Sequence, residues 1–170
     1  MSKIKSSILL LISFFVFSCT NNQTNVSNQK YSLAYIDGEY DGLLLKNYLT
    51  SSLKNLNILD QNSNFEIQAN INHSTNLYIT NIDNTSDRER INTKLTIQIL
   101  DKTSKCIIFR DDIDISQFYI YASSDKFLSN QTAVKEIKKN NTQATVRQFI
   151  NKLKKIDIRC DESKISNIIN

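Results

Sequence analysis

The chain has 170 residues and a formal net charge of +4, and its composition excludes several classes of function. It holds 2 glycines and 0 prolines, so a glycine-rich phosphate-binding loop is excluded, and turns are expected at Asn, Asp and Ser. Without the two lysines of a leader, 19 basic and 17 acidic residues leave a net charge of +2. This excess is too small to predict nucleic-acid binding. The length and the lack of an internal repeat predict one domain.

Residues 1–18 have the composition of an export signal. Two lysines precede an apolar run at residues 8–17, which is too short to span a bilayer. The segment Val16-Phe17-Ser18-Cys19 resembles the lipobox of bacterial lipoproteins, in which the cysteine receives the lipid. Phe17 departs from the small residue usual in that motif, and an ordinary leader cleaved nearby is the alternative. Because Thr20 rather than an acidic residue follows Cys19, the resemblance implies a lipid anchor in the outer membrane, facing the periplasm.

The mature chain is expected to begin with a tether and to end with a tail. Residues 19–30 are rich in Asn, Gln, Ser and Thr and cannot bury enough apolar surface to fold, so they are expected to be flexible. The folded domain is predicted at residues 31–158, and a C-terminal tail at 159–170.

The first elements of the domain are predicted from their apolar periodicity. A short strand covers residues 31–37, and Asp41 is expected to cap a helix over about 42–57. A second strand covers about 65–71 and is open to continuation at 77–80. The helix carries an apolar stripe at helical spacing, formed by Leu45, Tyr48, Leu49, Leu53 and Leu56.

Residues 90–115 alternate apolar and polar side chains and predict a hairpin around which the domain is organised. The polar connector at 101–105 is its turn. Pairing Leu100 with Cys106 places Ile97 opposite Phe109 and Lys94 opposite Asp112, so apolar side chains meet on one face and opposite charges meet on the other. Ile107 is expected on the same face as Phe109. Asp111 falls in the apolar row opposite Leu95, and a local bulge or an edge position is the expected reason.

A last helix is predicted over about 126–158. Its apolar residues form two stripes that diverge at Asn140-Asn141, two weak helix formers, so a bend or break is expected there. The second half has the apolar density of a core helix. Six lysines, expected to form a solvated face, are Lys135, Lys138, Lys139, Lys152, Lys154 and Lys155; contact with anionic lipid phosphates is the alternative.

The order of elements predicts an α+β fold: a mixed, mainly antiparallel four-stranded sheet with two helices on one face, in the order β-α-β-β-β-α. Over roughly residues 31–153 the chain resembles LptE, the lipopolysaccharide-assembly lipoprotein, in its alphaproteobacterial form. Cys19, the segment Leu45-Lys46-Asn47-Tyr48-Leu49 and the segment Tyr119-Ile120-Tyr121-Ala122-Ser123-Ser124 carry the resemblance. The Gly and Pro usual after the lipidated cysteine and most alanines of the final helix are missing.

The resemblance implies a role without catalysis. Members of the family sit as a plug inside the LptD barrel, help it to assemble and contact lipopolysaccharide. A sheet face carrying Lys94, Thr96, Gln98 and Arg110 suits the polar lumen of a wide barrel, although such a face can equally meet water. Basic residues at the two ends of the first hairpin arm are candidates for lipopolysaccharide contact: Arg88, Arg90, Lys102 and Lys105.

No catalytic or metal site is expected, and no cofactor. His73 is the single histidine and is expected at the surface. Asp111, Asp112 and Asp114 could suggest a calcium site, but strand alternation sends Asp111 to the opposite face, which leaves two carboxylates and no surrounding loop of oxygen ligands. With Cys19 lipidated, Cys106 and Cys160 remain as an even pair, and a disulfide between them is possible in an oxidising compartment.

Two other classes of function stay open on the sequence. One is a generic periplasmic binding or accessory lipoprotein, such as a transporter accessory or an activator of cell-wall synthesis. The other is an enzyme, which would need a clustered site that the sequence does not offer.

Overall fold

The computed structural model describes residues 29–36, 39–79, 87–120 and 127–156, which form one α+β domain. Its elements are β1 (Ser32–Leu33), α1 (Tyr40–Asn55), β2 (Phe65–Ile79), β3 (Asp87–Asp101), β4 (Cys106–Ile120) and α2 (Phe127–Leu153). The sheet order is β1-β2-β3-β4, with β1 parallel to β2 and the other pairs antiparallel. The predicted fold class and order of elements are confirmed. The expectations for residues 1–18, most of the tether and the tail at 159–170 lie outside the described residues.

Helix α1 packs its leucine stripe into the core as predicted: Leu45, Leu49 and Leu53 are fully buried. The expected cap is wrong, because Glu39 is the N-cap residue and Asp41 lies inside the first turn. The helix ends at Asn55, and just beyond its C-cap residue Leu56 the backbone of Asn57 is left-handed, with a φ of 55°. The N–H of Asn57 donates to the carbonyl of Lys54 and that of Ile58 to the carbonyl of Leu53, which is a Schellman ending with Asn in the usual place of Gly.

Strand β2 is one element of 15 residues rather than two pieces. It pairs with β3 along its whole length, from Phe65 opposite Asp101 to Ile79 opposite Asp87. His73 lies opposite Thr93 within this ladder, so the strand continues through the polar segment where the apolar alternation stops.

The predicted register of the hairpin is wrong by two residues over most of its length. Phe109 pairs with Ile99 rather than with Ile97, and Ile97 lies opposite Asp111. Nearer the turn, Leu100 pairs with Ile107, so Ile108 is an extra residue that forms a β-bulge. The bulge also puts Ile107 on the opposite face from Phe109, contrary to the prediction.

The polar turn of the hairpin lies where the sequence predicted it, and the ion pair between Lys94 and Asp112 forms despite the shifted register. Asp101 accepts hydrogen bonds from the Ser104 hydroxyl at 2.7 Å and the Thr103 N–H at 2.9 Å, and these bonds, that of Ser104 first, lower the pKa of its carboxyl. Lys94 lies opposite Asp114 rather than Asp112, yet its Nζ reaches Asp112 diagonally at 2.8 Å.

Helix α2 is one continuous helix of 27 residues, so the break expected at Asn140-Asn141 is wrong. Asn141 is fully buried, and its side-chain amide donates to the Thr93 hydroxyl of β3 at 3.0 Å. This contact with the sheet offsets the poor helix propensity of asparagine. The second half of α2 supplies its buried apolar residues, as predicted: Val146, Phe149, Ile150 and Leu153.

The core lies between one face of the sheet and both helices. Its sheet side is formed by residues such as Ile67, Leu95, Ile97 and Ile113, and Phe109 packs against Phe149 of α2 with ring centroids 6.1 Å apart. Neither of the two described helices covers the other face of the sheet.

Candidate functional surface

The face of the sheet opposite the core is almost entirely polar over its central part. We call it the open face, and its members are Gln68, Asn70, Asn72 and Ser74 of β2, Asn92, Lys94, Thr96 and Gln98 of β3, and Arg110, Asp112, Asp114 and Ser116 of β4. Strand alternation brings these side chains together, because every second residue of each strand points to the same side. The sequence predicted this surface, including Lys94, Thr96, Gln98 and Arg110.

Hydrogen bonds between strands tie the side chains of the open face to one another. The amide of Gln98 donates to Gln68 at 2.7 Å, and the Ser116 hydroxyl donates to Asn92 at 2.7 Å. The hydrogen bond between Lys94 and Asp112 raises the pKa of the lysine and lowers that of the carboxyl. Both groups therefore stay charged at neutral pH and keep their ion pair.

The four basic residues predicted to contact lipopolysaccharide do not form one site. Arg88 and Arg90 lie at one end of β3, and Lys102 and Lys105 lie in the turn at its other end. At about 3.3 Å per residue these ends are about 40 Å apart. Nζ of Lys102 is 3.4 Å from the Ser32 hydroxyl, and Lys105 takes the left-handed conformation of the turn, with φ 54°.

The arginine end of the sheet also carries exposed apolar groups. The guanidinium of Arg90 lies over the Phe118 ring, 5.4 Å from its centroid, and Phe118 is 58% exposed. On the helix side of the same end, Phe127 and Leu128 at the start of α2 are also exposed. Cations and apolar side chains therefore occur together at this end, which the sequence did not indicate.

A groove of about 630 Å³ opens on the helix side of this end. Tyr40 and Asp41 at the start of α1 form one wall, and the first half of α2 forms the other. Lys135 of α2 lies with its Nζ 4.8 Å from the centroid of the Tyr40 ring. Glu89 and Tyr119, which hydrogen-bond to each other, close the groove on the sheet side.

His73 is not at the surface as predicted, because its side chain is 2% exposed on the core side of β2. Its Nδ1 lies 2.8 Å from the Thr93 hydroxyl, the same hydroxyl that Asn141 contacts. Its Nε2 is buried 4.0 Å from a carboxylate oxygen of Asp41, and no described residue hydrogen-bonds to it. Burial lowers the pKa of the imidazole, with Asp41 acting against this shift and Lys138 adding to it. The cluster joins β2, β3, α1 and α2.

The structure tests few of the remaining site residues. Cys106 is buried and disulfide-bonded, and its partner lies outside the described residues, as do Cys19 and Cys160. Pairing with Cys160 and lipid attachment at Cys19 therefore stay predictions.

Over the described ranges, His, Cys, Asp and Glu do not gather in groups of three that could hold a metal ion. Among the described helices, none combines the length and the apolar character needed to cross a membrane.

Comparison with solved structures shows a fold shared with bacterial lipoproteins. A minor lipoprotein from Acinetobacter baumannii is similar with a TM-score of 0.55 at 15% identity, over 76% of this chain and 93% of that chain. A candidate lipoprotein from Caulobacter crescentus has a TM-score of 0.51 at 14% identity, over 74% of this chain and 88% of that chain. For rare lipoprotein B from Shewanella oneidensis the TM-score is 0.50 at 10% identity, over 73% and 94%. No protein-family model and no curated protein matches the sequence. At these identities the likeness is one of fold.

Proposed function

We propose that the chain is an outer-membrane lipoprotein without catalytic activity that assists the assembly of an LptD-like barrel and plugs it during transport of lipopolysaccharide to the cell surface. The observation that carries the proposal is the open face. A sheet face of this size that neither described helix covers, built from amides, hydroxyls and paired charges, matches the polar interior of a wide barrel.

The charges of the open face favour contact with a mixed polar wall rather than with a highly charged ligand. Lys94 and Arg110 balance Asp112 and Asp114, so the face has no strong field of one sign. Its amides and hydroxyls can each donate and accept hydrogen bonds. Many short polar contacts of this kind give a large and specific interface without an apolar patch.

The fold supports the proposal at a coarser level. The lipoproteins with similar structures are consistent with an LptE-like domain. In the segment Leu45-Lys46-Asn47-Tyr48-Leu49, the two leucines are buried core residues of α1. That part of the resemblance therefore concerns the packing of the domain. The argument for a barrel as the partner comes from the open face.

Crosslinking from the open face tests the plug. A photoreactive group at Thr96 or Gln98 is expected to form adducts with a large outer-membrane barrel in cells. Gln143, exposed on α2, is a matched position on the helix side and shows whether the contact belongs to one face. Adducts from Thr96 and Gln98 only to periplasmic or inner-membrane proteins would contradict the plug and support the accessory lipoprotein.

Lipopolysaccharide contact is proposed for the arginine end of the sheet. There Arg88 and Arg90 can meet phosphates while Phe118, Phe127 and Leu128 meet acyl chains. The lysines of the turn lack exposed large apolar neighbours among the described residues. An Arg88→Ala, Arg90→Ala variant is expected to bind purified lipopolysaccharide at least about tenfold more weakly, and a Lys102→Ala, Lys105→Ala variant is the matched control. Equal binding by both variants would remove the arginine end as the contact.

The generic binding lipoprotein remains the second candidate because of the groove beside Tyr40. Its walls combine aromatic rings with carboxylates and lysines, a lining that can hold a small amphipathic molecule. This reading predicts that substitution of Leu128 or Lys135 impairs function while substitution of Thr96 and Gln98 does not. The opposite pattern, in a complementation assay for growth, is expected for the plug.

A further inference from the structure

The edge of the sheet at β4 is long enough to accept another strand. β4 is the last strand of the sheet and has 15 residues, whereas β1 at the other edge has 2. In the part of the chain that the structure describes, β3 is the only strand paired with β4. Between Ile107 and Gln117 this edge offers a row of backbone N–H and C=O groups to a second strand. A second copy of this chain carries the same edge and is the most available partner.

Asp111 interrupts the core face in the middle of this edge. The register places it opposite the fully buried Ile97, between Phe109 and Ile113 on the same face of β4. Its side chain is 24% exposed, and a carboxylate oxygen lies 2.5 Å from Nζ of Lys152 on α2. A carboxylate in a row of apolar side chains is therefore tolerated here because the edge leaves it access to water.

Stability of the monomer does not account for a charge at this position. Its ion-pair partner, Lys152, is about half exposed, and ion pairs that reach water contribute little to folding. An apolar residue at position 111 would continue the row of Phe109 and Ile113 against Ile97. The carboxylate instead raises the free-energy cost of adding a strand at this edge, because the added strand would cover it and remove its contact with water.

We propose that Asp111 keeps the β4 edge from pairing with β4 of a second copy of the chain. Inward-pointing charges and bulges are the means by which edge strands avoid such pairing, and β4 has both, with its bulge at Ile108. Asp112 and Asp114 on the open face act in the same direction. In an antiparallel pair of two β4 strands, Asp112 and Asp114 lie opposite each other when the pair is centred at Ile113, and one of them lies opposite its own copy when the pair is centred at Asp112 or at Asp114.

Self-association of the full-length chain in a non-ionic detergent tests this proposal. Asp111→Val is expected to associate at least about tenfold more tightly than the parent, measured as molar mass by light scattering over a range of concentrations. In the associated form, amide hydrogen exchange in β4 should slow. Gln117→Val is the matched control, because Gln117 is an exposed, uncharged residue on the same face of the same strand. It is expected to keep the parent's molar mass.

Two results would overturn the proposal. One is an Asp111→Val chain that keeps the parent's molar mass at every concentration, and the other is equal association of Gln117→Val. Should Asp111→Val fold poorly, Asp111→Asn keeps the side-chain size and removes the charge, and its association is expected to exceed the parent's. These results do not depend on whether the chain binds a barrel, so the two proposals fail separately.

Discussion

At the scale of single residues, the polar cluster around Thr93 is the least expected part of the interior. His73 and Asn141 both contact the Thr93 hydroxyl, and Asp41 lies beside the far nitrogen of the imidazole. A buried polar group costs free energy when it loses its partner, so a cluster that draws on four elements fixes their relative positions. Nδ1 of His73 therefore ties β2 to β3, while its Nε2 lies beside Asp41 at the start of α1.

The buried imidazole of His73 makes the stability of the domain sensitive to pH. In the unfolded chain the imidazole gains its proton near its ordinary pKa of 6.5, whereas burial lowers the pKa in the folded state. Because the unfolded state binds more protons between these two values, His73 contributes fully to stability above about pH 6.5 and its contribution falls as the pH decreases below that. Urea unfolding at about pH 8 and about pH 5.5 measures the difference.

A His73→Asn variant is the control for this prediction. Its amide can still meet the Thr93 hydroxyl but does not titrate, so its free energy of unfolding should change less between the two pH values. The same loss of stability in parent and variant would assign the pH dependence to other groups.

Removal of the Asn141 amide is expected to destabilise the domain. Asn141→Ala takes a donor away from Thr93 in a fully buried site, and the expected cost is about 1–3 kcal/mol in the free energy of unfolding. Asn140→Ala is the matched control, because Asn140 is exposed one position earlier in the same helix. It should be neutral or slightly stabilising, since alanine is the better helix former. Equal losses would show that helix propensity rather than the buried contact matters at this site.

At the scale of elements, the bulge at Ile108 decides how the hairpin presents its side chains. The run Ile107-Ile108-Phe109 is apolar throughout, so alternation alone does not reveal where a residue has been added. Beyond the bulge, the open face and the core face keep the composition predicted for them, although each cross-strand pair is shifted. The faces were predictable because burial selects them, and the pairing was not, because it depends on one irregular residue.

A double-mutant cycle tests the observed register. Ile99→Ala and Phe109→Ala are expected to show a coupling of about 0.5 kcal/mol or more, because these residues lie directly opposite each other. The diagonal pair Ile97 and Phe109 should couple less. Ile97→Ala alone should cost about 2–5 kcal/mol and Thr96→Ala on the open face less than about 0.5 kcal/mol. A stronger coupling for the Ile97 pair would restore the register expected from the sequence.

At the scale of the whole molecule, the disulfide of Cys106 ties the beginning of β4 to a segment outside the described residues. The predicted partner is Cys160, which follows α2. A Cys160→Ser variant should therefore leave Cys106 free to react with an alkylating reagent after denaturation without reductant, and loss of the bond should cost about 2–4 kcal/mol. If Cys106 stays blocked in that variant, its partner is Cys19, and lipid attachment at Cys19 is contradicted as well.

The sequence predicts the architecture well and the internal polar contacts poorly. The leucine stripe of α1 and the second half of α2 were predictable because an amphipathic helix must bury its apolar side. The position of His73 was obscured because the apolar alternation of β2 stops after Ile71, although its even spacing from Ile67 and Ile71 places it on the core side. The sequence marks Asn141 as a weak helix former. It is tolerated because its amide donates to the hydroxyl of Thr93, which is distant in the sequence.

The order of strands in the sheet has a consequence for how the chain folds. β2, β3 and β4 are consecutive neighbours joined by hairpins, so their contacts close short loops and we expect them to form early. β1 precedes α1 in the chain and pairs in parallel with β2, which follows α1. A parallel pair of this kind requires a crossover connection, here α1. When the domain leaves a ribosome or a translocation channel from its N-terminal end, β1 therefore emerges first and stays unpaired until the residues around Ile67 have followed it. During that interval β1 and α1 must stay in solution without the sheet against which they pack in the folded domain.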